Sequence, residues 1–190
     1  MLESIIHIDQ TLFYYINELI SNPVFDIILP VIRNKYTWIP LYIGLILFLY
    51  LKYHKKGLWI TLFLLVSVGI ADPVSAKIIK PGIERPRPCH KNNSITPRQL
   101  EGWPCGSGYS FVSSHASNHF AIATTLGLIL FAFSPWILYG GWLWAGLISL
   151  GQVYIGVHYP LDIFFGAFLG ICIGLLLSKV FMKFITLEHA

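Results

Sequence analysis

The sequence predicts an all-α membrane protein, a polytopic bundle of transmembrane helices that forms a single domain over residues 1–190. Of the 190 residues, 55% are hydrophobic and 12% are charged, whereas soluble domains carry roughly 25% charged residues. From Gly102 to Leu161 the chain contains no Asp, Glu, Lys or Arg. A water-soluble domain could not solvate such a stretch. The composition therefore excludes a disordered chain, a coiled coil and an ordinary cytosolic enzyme.

Five segments are long and apolar enough to be predicted as membrane spans, since about 20 apolar residues cross a hydrocarbon core about 30 Å thick. The predicted spans are Tyr36–Leu51, Gly57–Ile79, His115–Phe133, Trp136–Tyr154 and Leu161–Phe184. Ser134-Pro135 separates the third from the fourth, because proline rarely continues a helix. In the last span, Gly166, Gly170 and Gly174 recur every four residues. This spacing of small residues favours close helix packing.

The first 33 residues predict two more helices. Ile5–Ile20 mixes Asp9 and Asn17 with many apolar residues, which is typical of an amphipathic helix at the membrane interface. Asn22-Pro23 ends this helix, and Val24–Ile32 is too short to cross unless it joins its neighbour, which would add a sixth span. The segment lacks the basic start and cleavage site of a signal peptide, so we expect it to be retained.

The topology gathers most of the polar residues at one membrane face. Successive spans alternate in direction, so the long polar loop over residues 80–112 and the end of the fourth span meet on the same side. The side chains brought together are Lys80, Arg87, Ser113, Ser114, His115, His158 and Asp162. Ionisable groups near a bilayer are costly and suggest a functional site.

The cations and the helix start in this group suit phosphate binding. Lys80 and Arg87 can bind phosphate oxygens, and the guanidinium can do so through two parallel hydrogen bonds. Ser113 and Ser114 precede or open a helix, where free N–H groups and the helix dipole favour an anion.

The two histidines suit nucleophilic and acid catalysis. Asp162 follows His158 by four residues, and a carboxylate there can orient the imidazole for attack. His115 is placed to protonate a leaving group. Together with the cations, this set predicts phosphoryl transfer through a phosphohistidine, without a metal or other cofactor.

Three motifs in this set resemble those of the type 2 phosphatidic acid phosphatase superfamily, which are Lys-x6-Arg-Pro, Pro-Ser-Gly-His and Ser-Arg-x5-His-x3-Asp. The corresponding segments are Lys80–Pro88, Val112–His115 and Gly151–Asp162. The resemblance extends over residues 36–184. It implies a helical membrane phosphatase acting on a lipid, and undecaprenyl diphosphate, phosphatidylglycerol phosphate, phosphatidic acid and lipid A all fit as substrates.

The resemblance also implies a role for each site residue. His158 would be the nucleophile, Asp162 its partner and His115 the general acid. The phosphate would be bound by Lys80, Arg87, Ser113, the Ser114 backbone and Gln152.

Two positions depart from the family pattern. Ser114 replaces glycine but keeps the N–H group. Gln152 replaces arginine, which removes a cation, and a charged hydrogen bond contributes about 1.5–3 kcal/mol against about 0.5–1.5 for a neutral one. Either Arg85, Lys77 or Lys91 compensates, or the site is slower or adapted to another substrate.

Other interpretations of these residues lead to different functions. If Ser113 or Ser114 acted with His158, the protein would be an intramembrane serine hydrolase. If the cations only bound an anion, it would be a lipid-phosphate or anion binding or transport protein. His115 and His119 have the spacing of a metal pair, but the zinc-protease pattern requires Glu after the first histidine. We therefore expect no metal and regard His119 as a packing residue.

Two residues within the spans are expected to be structural. Asp72-Pro73 predicts a kink in the second span whose acid pairs with a polar neighbour such as Lys77. Cys172 lies in an apolar helix and is expected to be inert.

The cysteines and lysines predict the orientation of the site. Cys89 and Cys105 share one loop and are expected to form a disulfide, which requires an oxidising compartment. The opposite face carries a basic cluster typical of a cytoplasmic side, namely Lys52, Lys55, Lys56, Lys179 and Lys183. We expect a bacterial inner-membrane protein with its site on the periplasmic or outer face, with the bilayer and a lipid substrate as partners and no nucleic acid.

Overall fold

The computed structural model describes residues 2–90, 95–185 and 187, and its regular elements in these ranges are all helical. The α-helices are α1 (Leu2–Tyr14), α2 (Pro23–Arg33), α3 (Ile39–Tyr53), α4 (Lys55–Pro73), α5 (Lys80–Ile83), α6 (Ser114–Ile129), α7 (Trp136–Tyr154) and α8 (Pro160–Phe184). Shorter helical turns occur at Tyr15–Leu19, Lys35–Trp38 and Val74–Ile79. The prediction of an all-α protein is confirmed.

Three stretches of helix are long and apolar enough to cross a membrane, namely Lys35–Tyr53, Lys55–Ile83 and Pro160–Phe184. Glu3–Leu19 and Pro23–Arg33 meet the criterion only as a pair, and they are bent by 116° where they meet. By length and composition the described residues thus provide three or four spans. The predicted count of five or six stays a prediction, because α6 and α7 fall outside this set.

α6 is only 16 residues long, and its packing explains why it can carry polar residues. α6 lies against α4, α7 and α8, while α3 packs on α4 and α2 packs on α7. A helix surrounded by protein does not need an apolar surface on every side, so the polar residues of α6 can be accommodated among its neighbours.

The glycines of α8 allow its close approach to α6, as the spacing predicts. A methyl group added at Gly170 would lie 2.3 Å from the Ser117 carbonyl oxygen, and one at Gly166 would lie 2.6 Å from the Ser113 carbonyl oxygen. Such distances are below van der Waals contact, so a larger residue would push the helices apart. This contact joins the start of α6 to the second and third turns of α8, next to the site residues.

The N-terminal helix is amphipathic, but its buried polar residues face the bundle. Asp9 is 1% exposed and Asn17, in the turn that follows, is fully buried, whereas Ile5, Ile8 and Leu12 are exposed. The prediction of an interfacial helix did not specify this orientation. The consequence is that α1 delivers a carboxylate to the interior of the protein.

The kink predicted at Asp72-Pro73 coincides with a change in helix type. The π-helical turn Val74–Ile79 follows directly, and such turns commonly mark an interruption of the helical ladder. The Asp72 carboxylate accepts a hydrogen bond from Asn118 Nδ2 at 2.9 Å. The polar partner of Asp72 is therefore Asn118 on α6, while the suggested Lys77 is exposed.

Candidate active site

A fixed turn between α7 and α8 presents His158. The Gln152 carbonyl accepts hydrogen bonds from the N–H groups of Val157 at 3.1 Å and His158 at 3.3 Å. Gly156 adopts φ +82° in this turn, a left-handed conformation that glycine reaches without strain. As a result His158 is only 2% exposed and is held close to the end of α7.

The hydrogen bonds of His158 define which ring nitrogen carries a proton. A carboxylate only accepts and a guanidinium only donates, so Nδ1 donates to Asp162 Oδ2 at 3.3 Å and Nε2 accepts from Arg87 Nη1 at 3.2 Å. Burial lowers the pKa of His158 to about 4, because the charged imidazolium is poorly solvated there. At pH 7 the ring is neutral and Nε2 carries its lone pair.

Asp162 is held by more partners than the sequence predicts. It is fully buried and accepts hydrogen bonds from the Tyr159 N–H and from Arg85 Nη1, each at 2.8 Å. Arg85 Nη2 also donates to Asp9 Oδ2 at 2.5 Å, and Asp9 Oδ1 accepts from the Leu161 N–H at 2.8 Å. Arg85 thus bridges two buried carboxylates, one from α1 and one from α8.

This bridge changes the interpretation of Arg85. The sequence offered it as one of three cations that compensate for Gln152 at the phosphate, but its two carboxylate partners give it a positioning role instead. Of the other two, Lys77 is exposed and Lys91 lies outside the described residues. Asp9 was missed altogether, since no motif or spacing links it to the distant Asp162.

Arg87 is fixed by the carbonyl groups of its own loop. It is 8% exposed, and its Nε donates to the Gly108 carbonyl at 3.2 Å and its Nη2 to the Ser107 carbonyl at 3.4 Å. Nη1 donates to the Val157 carbonyl at 3.1 Å as well as to His158. These bonds direct one edge of the guanidinium at His158 Nε2.

Lys80 lies close enough to these groups to act on them electrostatically. Its ammonium interacts with the charges of Arg87 and Asp162, and with the imidazoles of His115 and His158. The structure therefore brings the predicted Lys80 and Arg87 to the same side of the protein as both histidines.

The hydroxyl groups at the start of α6 have structural partners. Ser113 Oγ caps the helix by accepting from the Ala116 N–H at 3.5 Å, and the Ser113 N–H donates to the Asp162 carbonyl at 2.9 Å. Ser75 Oγ donates to Ser114 Oγ at 2.9 Å. Apart from the N–H groups of Ala116 and Ser117, which donate to Ser113, the first-turn N–H groups of α6 are the natural anion-binding groups here.

His115 lies in the first turn of α6 on the same side as His158. The two imidazoles are close enough for their charges to interact. The His115 ring stacks on His119, with centroids 6.3 Å apart. His119 Nδ1 donates to the His115 carbonyl at 2.8 Å and Nε2 lies 3.4 Å from Tyr42 Oη, so His119 packs behind the site as predicted.

Gln152 is buried beside the site with an unsatisfied amide. The residue is 1% exposed, and among the described residues its Nε2 has no hydrogen-bond partner. A buried donor without an acceptor is costly. The amide can therefore donate to a phosphate oxygen, and the binding role of Gln152 stays a prediction.

The predicted disulfide is present and closes the loop that carries Arg87. Cys89 and Cys105 are bonded, with 5.7 Å between their Cα atoms. One end of the closed segment adjoins Arg87 and the other adjoins Ser107 and Gly108, which bind the guanidinium. The disulfide therefore restrains both sides of the Arg87 site.

We expect the variant Cys89→Ser/Cys105→Ser to lose about 3 kcal/mol of stability, the entropic contribution of a disulfide that closes a loop of this size. Thermal unfolding in detergent, with Cys172→Ser as the matched control, measures the loss. In wild-type protein, thiol blocking without reduction should leave both loop cysteines unlabelled. Full labelling of these two residues would contradict the disulfide.

Comparison with known proteins agrees with the motifs and the geometry. The family model described as PAP2 superfamily matches residues 57–185. The chain is 31% identical over 183 residues to the lipid A 4'-phosphatase of Porphyromonas gingivalis, covering 95% of this chain and 76% of that protein. It is 30% identical over 172 residues to the lipid A 4'-phosphatase of Bacteroides thetaiotaomicron, covering 90% and 75%.

A solved structure shares the fold. The crystal structure of the transmembrane PAP2-type phosphatidylglycerolphosphate phosphatase from Bacillus subtilis superposes with a TM-score of 0.75 at 20% identity, over 97% of this chain and 90% of that one. The resemblance carried by the three motifs is thereby confirmed, and the chain belongs to the PAP2 superfamily of membrane phosphatases.

Proposed function

We propose that this protein removes phosphate from a membrane lipid through a phosphohistidine on His158. The observation that carries the proposal is the buried imidazole of His158, which Asp162 orients through Nδ1 and whose Nε2 lies 3.2 Å from Arg87 Nη1. When a phosphate oxygen replaces Nε2 as the acceptor of the Arg87 hydrogen bond, phosphorus lies next to Nε2, whose lone pair is then free to attack. Geometry of this kind prepares a nucleophile and its charge stabilisation together.

In the first step, His158 Nε2 forms a bond to phosphorus while the bond between phosphorus and the lipid oxygen breaks. His115 takes up a proton as the phosphate binds, because the neighbouring anion favours the imidazolium, and donates this proton to the departing oxygen. Lys80, Arg87 and the first N–H groups of α6 stabilise the charge on the phosphoryl oxygens. Asp162 stabilises the positive charge that develops on the imidazole.

In the second step, water attacks phosphorus and the bond to Nε2 breaks. His115, now neutral, accepts the proton from the water. Inorganic phosphate leaves, and both histidines return to their starting protonation states. The cations and N–H groups provide the electrophilic assistance, so the steps proceed without a metal ion.

Two features support a lipid as the substrate, and a lipid A phosphate monoester in particular. A cavity of about 470 Å³ lies between α1, α6, α7 and α8, lined by apolar side chains such as Ile8, Leu12 and Phe164 and reaching Asp9 and Leu161 near the site. An acyl chain fits such a lining. The two relatives named as lipid A 4'-phosphatases favour that lipid over the other three candidates.

We place the site on the periplasmic or outer face of a bacterial inner membrane. The disulfide at the site supports an oxidising compartment. The lysine cluster at the opposite helix ends supports a cytoplasmic side there.

The serine-hydrolase alternative receives less support from the geometry. The Ser113 and Ser114 hydroxyls accept hydrogen bonds from Ala116 and Ser75, and His158 Nε2 faces Arg87 rather than a hydroxyl. A serine hydrolase would react with fluorophosphonate probes, whereas the proposed enzyme should not.

We expect detergent-purified protein to release inorganic phosphate from lipid A at the same rate with and without EDTA, and orthovanadate to inhibit this release. The assay compares lipid A, undecaprenyl diphosphate, phosphatidylglycerol phosphate and phosphatidic acid. Lipid A should give the highest kcat/KM. Loss of activity in EDTA would contradict the metal-free steps, and binding of all four lipids without phosphate release would favour a transport or binding protein.

A further inference from the structure

Arg33, the last residue of α2, is a cation that the steps above do not use. α2 packs on α7 so closely that a methyl group added at Gly151 would lie 3.1 Å from Arg33 Cβ. Gly151 directly precedes Gln152. The Arg33 guanidinium carbon lies 5.3 Å from the centre of the Trp103 ring, which belongs to the loop that carries Arg87. Arg33 is therefore held between the end of α7 and the active-site loop.

The charge of Arg33 acts on the site itself. Its guanidinium interacts electrostatically with Arg87 and with His115. Arg87 is positive, and His115 is positive when it is protonated. Both interactions with Arg33 are therefore repulsive when no anion lies between the groups. Like charges brought together away from bulk water are costly unless a counter-charge joins them.

The charge pairing of Arg33 differs from that of Arg85 and Arg98. In the part of the chain that the structure describes, Arg85 and Arg98 each pair with a carboxylate, and no such pair involves Arg33. Arg33 Nε is buried without a hydrogen-bond partner among these residues, and so is Gln152 Nε2. Two unsatisfied donors thus adjoin the same end of α7.

We propose that Arg33 binds the phosphate group of the substrate, supplying from α2 the guanidinium that position 152 lacks. The phosphate lies between Arg33 and Arg87, removes their repulsion and accepts from the buried donors of Arg33 and Gln152. This role rests on the proposed function, since it concerns the phosphate on which His158 acts. It identifies a compensating cation outside the three that the sequence suggested.

Orthovanadate binding tests the proposal without requiring turnover. The measurement is the thermal shift of detergent-purified protein as a function of vanadate concentration. Arg33→Gln should weaken vanadate binding by about 10- to 100-fold, the loss expected for one charge-assisted hydrogen bond. The melting temperature without vanadate should stay within about 2 °C of wild type. Lys35→Gln, which removes an exposed charge two residues away, should bind vanadate like wild type.

A change at position 152 provides the second arm. In the Arg33→Gln background, Gln152→Arg should restore vanadate affinity to within about fivefold of wild type, because it returns a guanidinium to the same region. In the wild-type background, Gln152→Arg should give no gain, because Arg33 already provides the charge. Gln152→Arg in the wild-type background keeps the test decisive even where Arg33→Gln does not fold.

The outcomes separate this proposal from the proposed function. Wild-type vanadate affinity in Arg33→Gln would overturn the role of Arg33, and so would a tenfold gain from Gln152→Arg alone. Vanadate binding that depends on Arg33, in a protein that releases phosphate from no lipid, would overturn the proposed reaction and leave the anion site standing.

Discussion

Replacing His158 by alanine is expected to abolish phosphate release, lowering kcat by about 10⁴-fold or more, the scale of loss when a nucleophile that acts as part of a unit is removed. The reason is structural: Nε2 carries the attacking lone pair, and the hydrogen bonds with Asp162 and Arg87 orient the ring. Release of inorganic phosphate from the best lipid measures the effect. His90→Gln, which alters an imidazole elsewhere in the loop, serves as the matched control and should retain activity.

The intermediate itself distinguishes nucleophilic attack from a merely structural role of His158. Wild-type protein quenched in alkali during turnover should carry radioactive phosphate from a labelled lipid, and the label should be lost in acid, as a phosphoramidate bond requires. His158→Ala should carry none. Labelled phosphate on the alanine variant, or activity within tenfold of wild type, would contradict the assignment of the nucleophile.

Replacing Arg85 by methionine is expected to destabilise the protein by about 3–5 kcal/mol and to reduce kcat strongly, since it leaves two buried carboxylates without their shared counter-charge. Asp162 and Asp9 are 0% and 1% exposed, so neither can recover its hydration by turning to water. One of them must take up a proton or move, and either change disturbs the hydrogen bond to His158 Nδ1. Thermal unfolding and phosphate release measure the two effects.

A second substitution separates charge from packing in this cluster. Asp9→Asn in the Arg85→Met background removes one unpaired carboxylate and should recover part of the lost stability, whereas Asp9→Asn alone should destabilise. Recovery of this kind is a coupling between neighbours that a double-mutant cycle detects. Additive losses would mean that Arg85 stabilises the fold through its contact with the Tyr159 ring rather than through the two carboxylates.

The grouping of the candidate catalytic residues could be predicted from the sequence because they lie at fixed distances within three motifs. His158 and Asp162 lie on the turn that leads into α8. Lys80 and Arg87 are close in the sequence, one in α5 and the other in the loop that follows it. The alternation of span directions was enough to predict that both imidazoles lie on the same side of the protein. The bounds of α7 were also predicted correctly, since Pro135 and Gly156 flank an uninterrupted apolar segment.

The contributions of the first helices could not be predicted in the same way. Periodicity shows that α1 has a polar stripe, but it does not show whether that stripe faces water or the bundle. Asp9 meets Arg85 across 76 positions, and Arg33 reaches α7 only because α2 folds back sharply from α1. Such contacts depend on how separate helices pack, which a single sequence does not encode in any local spacing.

The position of Asp9 has a consequence for defining the smallest working enzyme. The region matched by the family model, residues 57–185, contains both histidines but omits the carboxylate that shares Arg85 with Asp162. In a polypeptide trimmed to that region, Arg85 would have one acidic partner, and the Leu161 N–H would lose its hydrogen-bond acceptor. We therefore expect the smallest active polypeptide to include α1 as well as residues 57–185, because Asp9 provides hydrogen-bond acceptors for both Arg85 and Leu161.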